Sequence, residues 1–142
     1  MPAKRASTGF TDEERAAMKE RAREMRRPKA SKADGEQEVL AKIAEMPPLD
    51  RALAERIHSL IKAAAPNLSC RSWYGMPAYT KDGEIVCFFQ NSGKFKVRYS
   101  TLGFADEAKL DEGNVWPVTY AVTKLTPADE AKIIALVKKA VG

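Results

Sequence analysis

The period of the hydrophobic positions changes twice along this chain. From residue 12 to residue 64 they recur at three and four, from Cys70 to Val122 they alternate or run together, and from Pro127 the helical period returns. Helices, then a block of strands, then a helix is the pattern of an α+β domain. Thr11 and Glu14 have the spacing of a capping box, and Asp12, Glu13 and Glu14 suit the positive end of a helix reaching Arg27. Its apolar stripe is thin, only Met18, Ala22 and Met25, which predicts a mostly solvated helix. Residues 1–9 read as a disordered leader, and Pro28 to Gly35 as a linker. Val39, Leu40, Ile43 and Met46 predict a helix over 36–46, closed by Pro47-Pro48. Leu49, Leu53, Ile57, Leu60, Ile61 and Ala64 mark the buried face of a second helix over 50–64, stopped by Pro66.

The strand block begins at Cys70. Arg71 to Gly75 reads as a strand, Met76-Pro77 as a bend or an edge, because proline cannot donate to a ladder. Asp82-Gly83 is a strong hairpin signal between strands at Ala78–Lys81 and Glu84–Gln90. Glu84 to Gln90 is apolar on both faces at its middle and should be a central strand. Asn91-Ser92-Gly93 reads as a turn. Lys94 to Tyr99 then alternates: Phe95, Val97 and Tyr99 one way, Lys94, Lys96 and Arg98 the other. Thr101 to Trp116 is irregular, with a helical turn at Asp106–Leu110. Pro117 to Lys124 is a last strand, with Val118, Tyr120 and Val122 on one face. Thr126-Pro127-Ala128-Asp129 opens the final helix, over 127–141. The expected architecture is two layers: an antiparallel sheet of four to six strands, with the 50–64 and 127–141 helices on one face. The domain is expected over 36–142, behind a leader, charged helix and linker over 1–35.

Composition narrows the chemistry. The 142 residues suffice for one core without staples. The net charge of +5 is spread, with eleven Lys/Arg against nine Asp/Glu over residues 1–45 and thirteen against ten beyond. It permits anion or nucleic-acid contact without arguing for it. Cys70 and Cys87 form neither a disulfide framework nor a zinc pattern. With no apolar signal core and no membrane-length apolar run, the chain reads as cytoplasmic. His58 is the single histidine and sits beside an apolar stripe, as a partly buried structural histidine does. Metal, phosphate-loop and nucleophile-elbow patterns are missing, so neither a cofactor nor a metal site is expected. Cys70 beside Arg71 is a weak nucleophile candidate.

Binding is the chemistry left open. A sheet covered by helices on one face leaves the other free. Strand alternation puts Lys94, Lys96 and Arg98 on it, where Trp73 or Tyr74, Tyr79 and Trp116 would supply aromatic surface. That combination suits a small acidic or aromatic ligand, or single-stranded nucleic acid. The competing expectation is packing: Trp73, Met76 and Tyr79 buried where strand, bend and strand meet, and the cations merely solvated. A protein partner, including a second copy through the same face, is the remaining expectation.

Trp73-Tyr74-Gly75-Met76-Pro77-Ala78-Tyr79, Gly83, Val86-Cys87-Phe88-Phe89 and the Leu125–Glu130 helix start resemble the YdhG-like family of small bacterial domains of unknown function. The resemblance runs from about Gln37 to Val141, and the segment Gly9–Arg15 is similar to an extension in one branch. It implies an α+β sandwich similar in outline to frataxin, and some family members are regarded as intracellular iron chaperones. Frataxin-type iron binding uses an acidic ridge. The corresponding helix here offers Asp50 and Glu55 beside Arg51 and Arg56, so the fold is carried over and the iron site is not.

Overall fold

A computed structural model describes residues 11–26 and 32–142. The expected leader over 1–9 and the first half of the expected linker, residues 28–31, lie outside those residues. In chain order the elements are α1 (Asp12–Arg26), α2 (Lys32–Ala44), α3 (Pro48–Ala64), β1 (Ser69–Trp73), β2 (Met76–Lys81), β3 (Glu84–Gln90), α4 (Ser92–Phe95), β4 (Ser100–Phe104), β5 (Thr119–Val122) and α5 (Pro127–Val141). The five strands form one antiparallel meander in the order β1-β2-β3-β4-β5, so β3 is central as its two-sided apolar run requires.

Local chemistry sets most boundaries. Thr11 and Glu14 exchange backbone-to-side-chain hydrogen bonds of 2.9 and 3.0 Å at the start of α1. Thr126 and Asp129 form the capping box of α5, with Pro127 in its first turn. Both two-residue hairpins have positive φ at both central residues, at Tyr74-Gly75 and at Asp82-Gly83, as type I′ turns require. The first bend therefore falls at Tyr74-Gly75, not at Met76-Pro77. Pro77 is tolerated inside β2 because β2 pairs with β1 from Met76 but with β3 only from Ala78.

The register assigns the two sheet faces. The row Cys70–Tyr79–Cys87–Phe104, with Phe89, Leu102 and Val122, faces α3 and α5 and joins Ile57, Leu60, Ile61, Ile133 and Val137 in the core. A register shift in the β2–β3 pair, between Tyr79 and Thr80, places Val86 as well as Cys87 among the core residues. Arg56 and Glu130 tie α3 to α5 through two hydrogen bonds of 2.7 Å. The α2 helix runs along β1: Val39 and Ile43 enter the core, Glu38 accepts from the Ser72 N–H at 2.8 Å, and Gly35 packs on the Cys70 carbonyl.

Five further expectations are corrected. The α2 helix begins at Lys32, so residues 32–35 are helical and not linker. Residues 94–99 form no strand: α4 is a helical turn ended by Lys96 at φ 56°, and the chain stays irregular until β4. Asp50 is the cause, because its carboxylate gathers the donors of Asn91, Ser92 and Gly93 and starts a turn there. Leu49 is 87% exposed, at the first turn of α3 ahead of the face that packs. The helical turn expected over 106–110 is reduced to one turn at Asp106-Glu107, closed by the Ala108 N–H on the Ala105 carbonyl at 3.0 Å, with Ala108 and Leu110 buried in the core. The last strand shortens to Thr119–Val122, with Val118 exposed and Val122 buried.

Candidate functional site

The seven residues proposed for a ligand site are not brought together. Tyr79 faces the helices, is 1% exposed, and its hydroxyl meets His58 Nδ1 at 2.8 Å. Trp116 lies in the segment between β4 and β5 and packs against the core. Lys94 is half-buried on α4, Lys96 pairs with Glu13 at 2.9 Å, and the Arg98 guanidinium lies 5.2 Å from the Tyr99 ring centre. Loss of the strand at 94–99 removes the row that was to align these three cations. Trp73 and Tyr74 do stay together, their ring centres 5.1 Å apart and edge-on.

Trp73 also meets Phe88 at 5.3 Å on the sheet face away from α3 and α5. The register lays Arg71, Ala78, Phe88, Gly103 and Thr119 in one row across this face. A side chain at Gly103 would collide with Phe88, whose Cζ would lie 2.3 Å from its Cβ, so the Phe88 ring lies over the bare backbone. Trp73, Phe88 and Arg71 are each half-buried. Phe88 and Gly103 were legible as strand residues, but their stacking depends on a register that local sequence does not reveal.

On its other side the Tyr74-Gly75 turn receives Glu24 from α1. Glu24 is 5% exposed. One of its oxygens accepts from the Tyr74 N–H at 3.0 Å; the other accepts from the Gly75 N–H at 3.3 Å and from the Ser72 hydroxyl. Arg21 lies over the Tyr74 ring, and its buried Nη1 makes no hydrogen bond while lying 3.7 Å from Glu24. The face that α1 turns inward is mostly polar: Glu13, Glu20, Arg21 and Glu24 are at least half-buried around a buried Ala17, whereas Met18 and Ala22 are exposed. Met18 and Ala22 of the expected apolar stripe are therefore not on the docking face. A run of acids at helical spacing was the available signal, and acids ordinarily mark the solvated side.

Below the sheet, His58 is buried between two partners, Tyr79 and Glu36, whose oxygen lies 3.0 Å from Nε2. A carboxylate only accepts, so Nε2 carries a proton, and in the neutral ring Nδ1 then accepts from the Tyr79 hydroxyl. The hydrogen bond from His58, against a smaller effect of burial, holds the Glu36 carboxyl below its usual value. Sequence spacing gave no hint of the trio, since its members are 22 and 21 residues apart. Burial pushes the Cys70 thiol up to about 11 and Cys87 to about 12. Thiols held protonated and out of solvent are weak nucleophiles. Neither should react with a disulfide reagent at pH 7.5 while the chain is folded, and both should react once it is unfolded. Prompt release of one equivalent from the folded chain would identify an accessible thiol and contradict this.

Asp50 is committed to the α4 turn. Burial pushes its carboxyl up, but hydrogen bonds from Asn91, the Gly93 N–H and Ser92 outweigh that and leave it below the usual aspartate value. Its contribution to stability is present above the ordinary carboxylate pKa and is lost as pH falls through the lowered one. Among the described residues no group of three or more His, Cys, Asp or Glu side chains is placed to hold a metal ion. Among them, too, no helix is long and apolar enough to cross a membrane.

No family model, no curated protein and no solved structure matches this chain. What the fold and the surface define is therefore a class, a two-layer α+β domain with helices on one face of a five-stranded meander.

Proposed function

We propose that the protein is a cytoplasmic, non-enzymatic binding module for a small acidic or aromatic ligand, held on the sheet face away from α3 and α5. The reading is carried by the Phe88 ring lying over Gly103 with Trp73 tilted beside it. An aromatic surface of this kind accepts a flat apolar group by stacking, at centroid separations of 4.5–7 Å. Arg71 lies two strands from Phe88 in the same row, a span of about 10 Å at ordinary strand spacing. A ring stacked on Phe88 thus has a guanidinium within reach of an acidic substituent, and guanidinium forks suit carboxylates. Thr119 and Ala121, both exposed, extend the same floor with small side chains. The site uses Trp73 from the original set and replaces the cations of residues 94–98 with Arg71.

Tryptophan fluorescence of the full chain tests this with benzoate and phenylacetate as probes. A saturable change is expected, weakened at least tenfold in Phe88→Ala and in Arg71→Ala. A change that is equal in parent and variants, or no saturable change with any aromatic acid, would overturn the reading. Stabilisation by short oligonucleotides that fades steeply with salt would instead favour single-stranded nucleic acid as the ligand.

A further inference from the structure

A buried carboxylate needs donors; the Arg21 guanidinium pairs with Glu24 at 3.7 Å without donating to it, and three donors come from one hairpin: the Ser72 hydroxyl and the N–H groups of Tyr74 and Gly75. Consecutive N–H groups in a turn form a concave anion site, and these two point at a planar, two-oxygen acceptor. An open cleft of about 210 Å³ adjoins it, lined by Gly75, Lys42, Lys94, Asn91 and Gly93 with Glu45 at its side. The Lys94 amine is seated against Gly75, 2.8 Å from where a Cβ would stand. Burial and the neighbouring Lys42 charge hold that amine below its usual pKa, although Glu20, Glu24 and Glu45 oppose the shift. A further anion in the cleft would relieve the repulsion between the two lysines.

The helix that supplies Glu24 is held by charge. Ala17 is the one buried apolar side chain among those described on α1; beside the Glu24 hydrogen bonds, α1 is tied by Arg21 over the Tyr74 ring, Glu20 to Lys42 at 3.0 Å and Glu13 to Lys96 at 2.9 Å. The Glu13–Lys96 pair is largely exposed on its lysine side, and such pairs weaken with salt. The hairpin therefore has the features of an anion site, and its present occupant is attached by interactions that another acid can replace.

We propose that the Ser72–Gly75 hairpin binds one carboxylate of a small dicarboxylate whose second carboxylate lies between Lys42 and Lys94, and that Glu24 is the internal competitor for this site. The site is separate from the aromatic sheet face and does not rest on it. Ligand entry requires α1 to leave, so binding and release of α1 are the same event.

The test is a titration of the ¹⁵N-labelled full chain with succinate, acetate or chloride at equal ionic strength. In Glu24→Ala the Tyr74 and Gly75 amide signals should shift saturably with succinate, at least tenfold more tightly than in the parent chain. Acetate should bind more weakly than succinate, and Lys94→Ala should erase that difference. A folded Glu24→Ala chain whose two amides do not titrate would overturn the proposal, and equal binding of succinate and acetate would overturn the dicarboxylate assignment. The parent chain gives a measurement that needs no variant. Succinate should speed hydrogen exchange across residues 12–26 relative to chloride, and equal exchange in the two salts would refute the competition.

Discussion

Tyr79→Ala should destabilise the chain by about 3–5 kcal/mol, read as a lower denaturation midpoint at unchanged denaturant slope. Tyr79 is 1% exposed and sits in the row Cys70–Tyr79–Cys87–Phe104 against α3 and α5. Truncation removes a whole ring from the middle of this row, between two strands that cannot move together to fill the space. Tyr79→Phe separates packing from hydrogen bonding. The ring remains, but His58 Nδ1 loses its hydrogen-bond partner at a buried position, which costs about 1–3 kcal/mol. If Tyr79→Phe matched the parent, the Glu36–His58–Tyr79 chain would carry no stability, and His58 would be held by packing alone. If Tyr79→Ala cost less than about 1 kcal/mol, the motif's second tyrosine would not be core, and the assignment of sheet faces would fail with it.

Trp73 behaves differently although it belongs to the same motif. It is half-buried, lying between the Tyr74 and Phe88 rings on the other face. The expectation that Trp73, Met76 and Tyr79 share one burial site therefore divides: Met76 and Tyr79 are buried, on opposite faces, and Trp73 keeps an accessible edge. The cause is the I′ turn at Tyr74-Gly75, which makes Trp73 and Met76 a cross-strand pair instead of successive residues around a bend at Pro77.

Elements specified by neighbouring residues were legible. The Asp82-Gly83 turn, β3 and the α5 capping box each depend on residues within a few positions. Residues 94–99 were misread because their alternation was genuine but had no core to face: Val97 is 47% exposed. What decides their structure is Asp50, more than forty residues earlier, which accepts three hydrogen bonds from Asn91, Ser92 and Gly93. Glu24 was invisible for a related reason. An acid on a charged helix reads as solvated, and only a turn fifty residues later supplies the donors that bury it. The candidate sites were thus less legible than the fold, since each joins residues distant in sequence.

Gly35→Ala should destabilise the chain by about 1–3 kcal/mol, against the sign that helix propensity alone would give. Gly35 lies inside α2, where replacing glycine by alanine ordinarily gains about 1 kcal/mol. Here a Cβ would stand 2.1 Å from the Cys70 carbonyl oxygen, a backbone atom of β1 that cannot rotate away. Relief needs α2 to withdraw from β1, which loosens Val39 and Ile43 and lengthens the Glu38 bond to the Ser72 N–H. The same glycine supported a linker reading because glycine is common in loops; its use here is close approach of helix to strand. Ala41→Gly is the matched control, on an exposed position of the same helix, and should cost about 0.5–1 kcal/mol from propensity alone. Both changes are therefore expected to destabilise, in opposite chemical directions. Thermal or urea unfolding of the two variants decides it. A Gly35→Ala chain more stable than the parent would mean that α2 does not lie on β1, and the cover over that sheet edge would have to be drawn again.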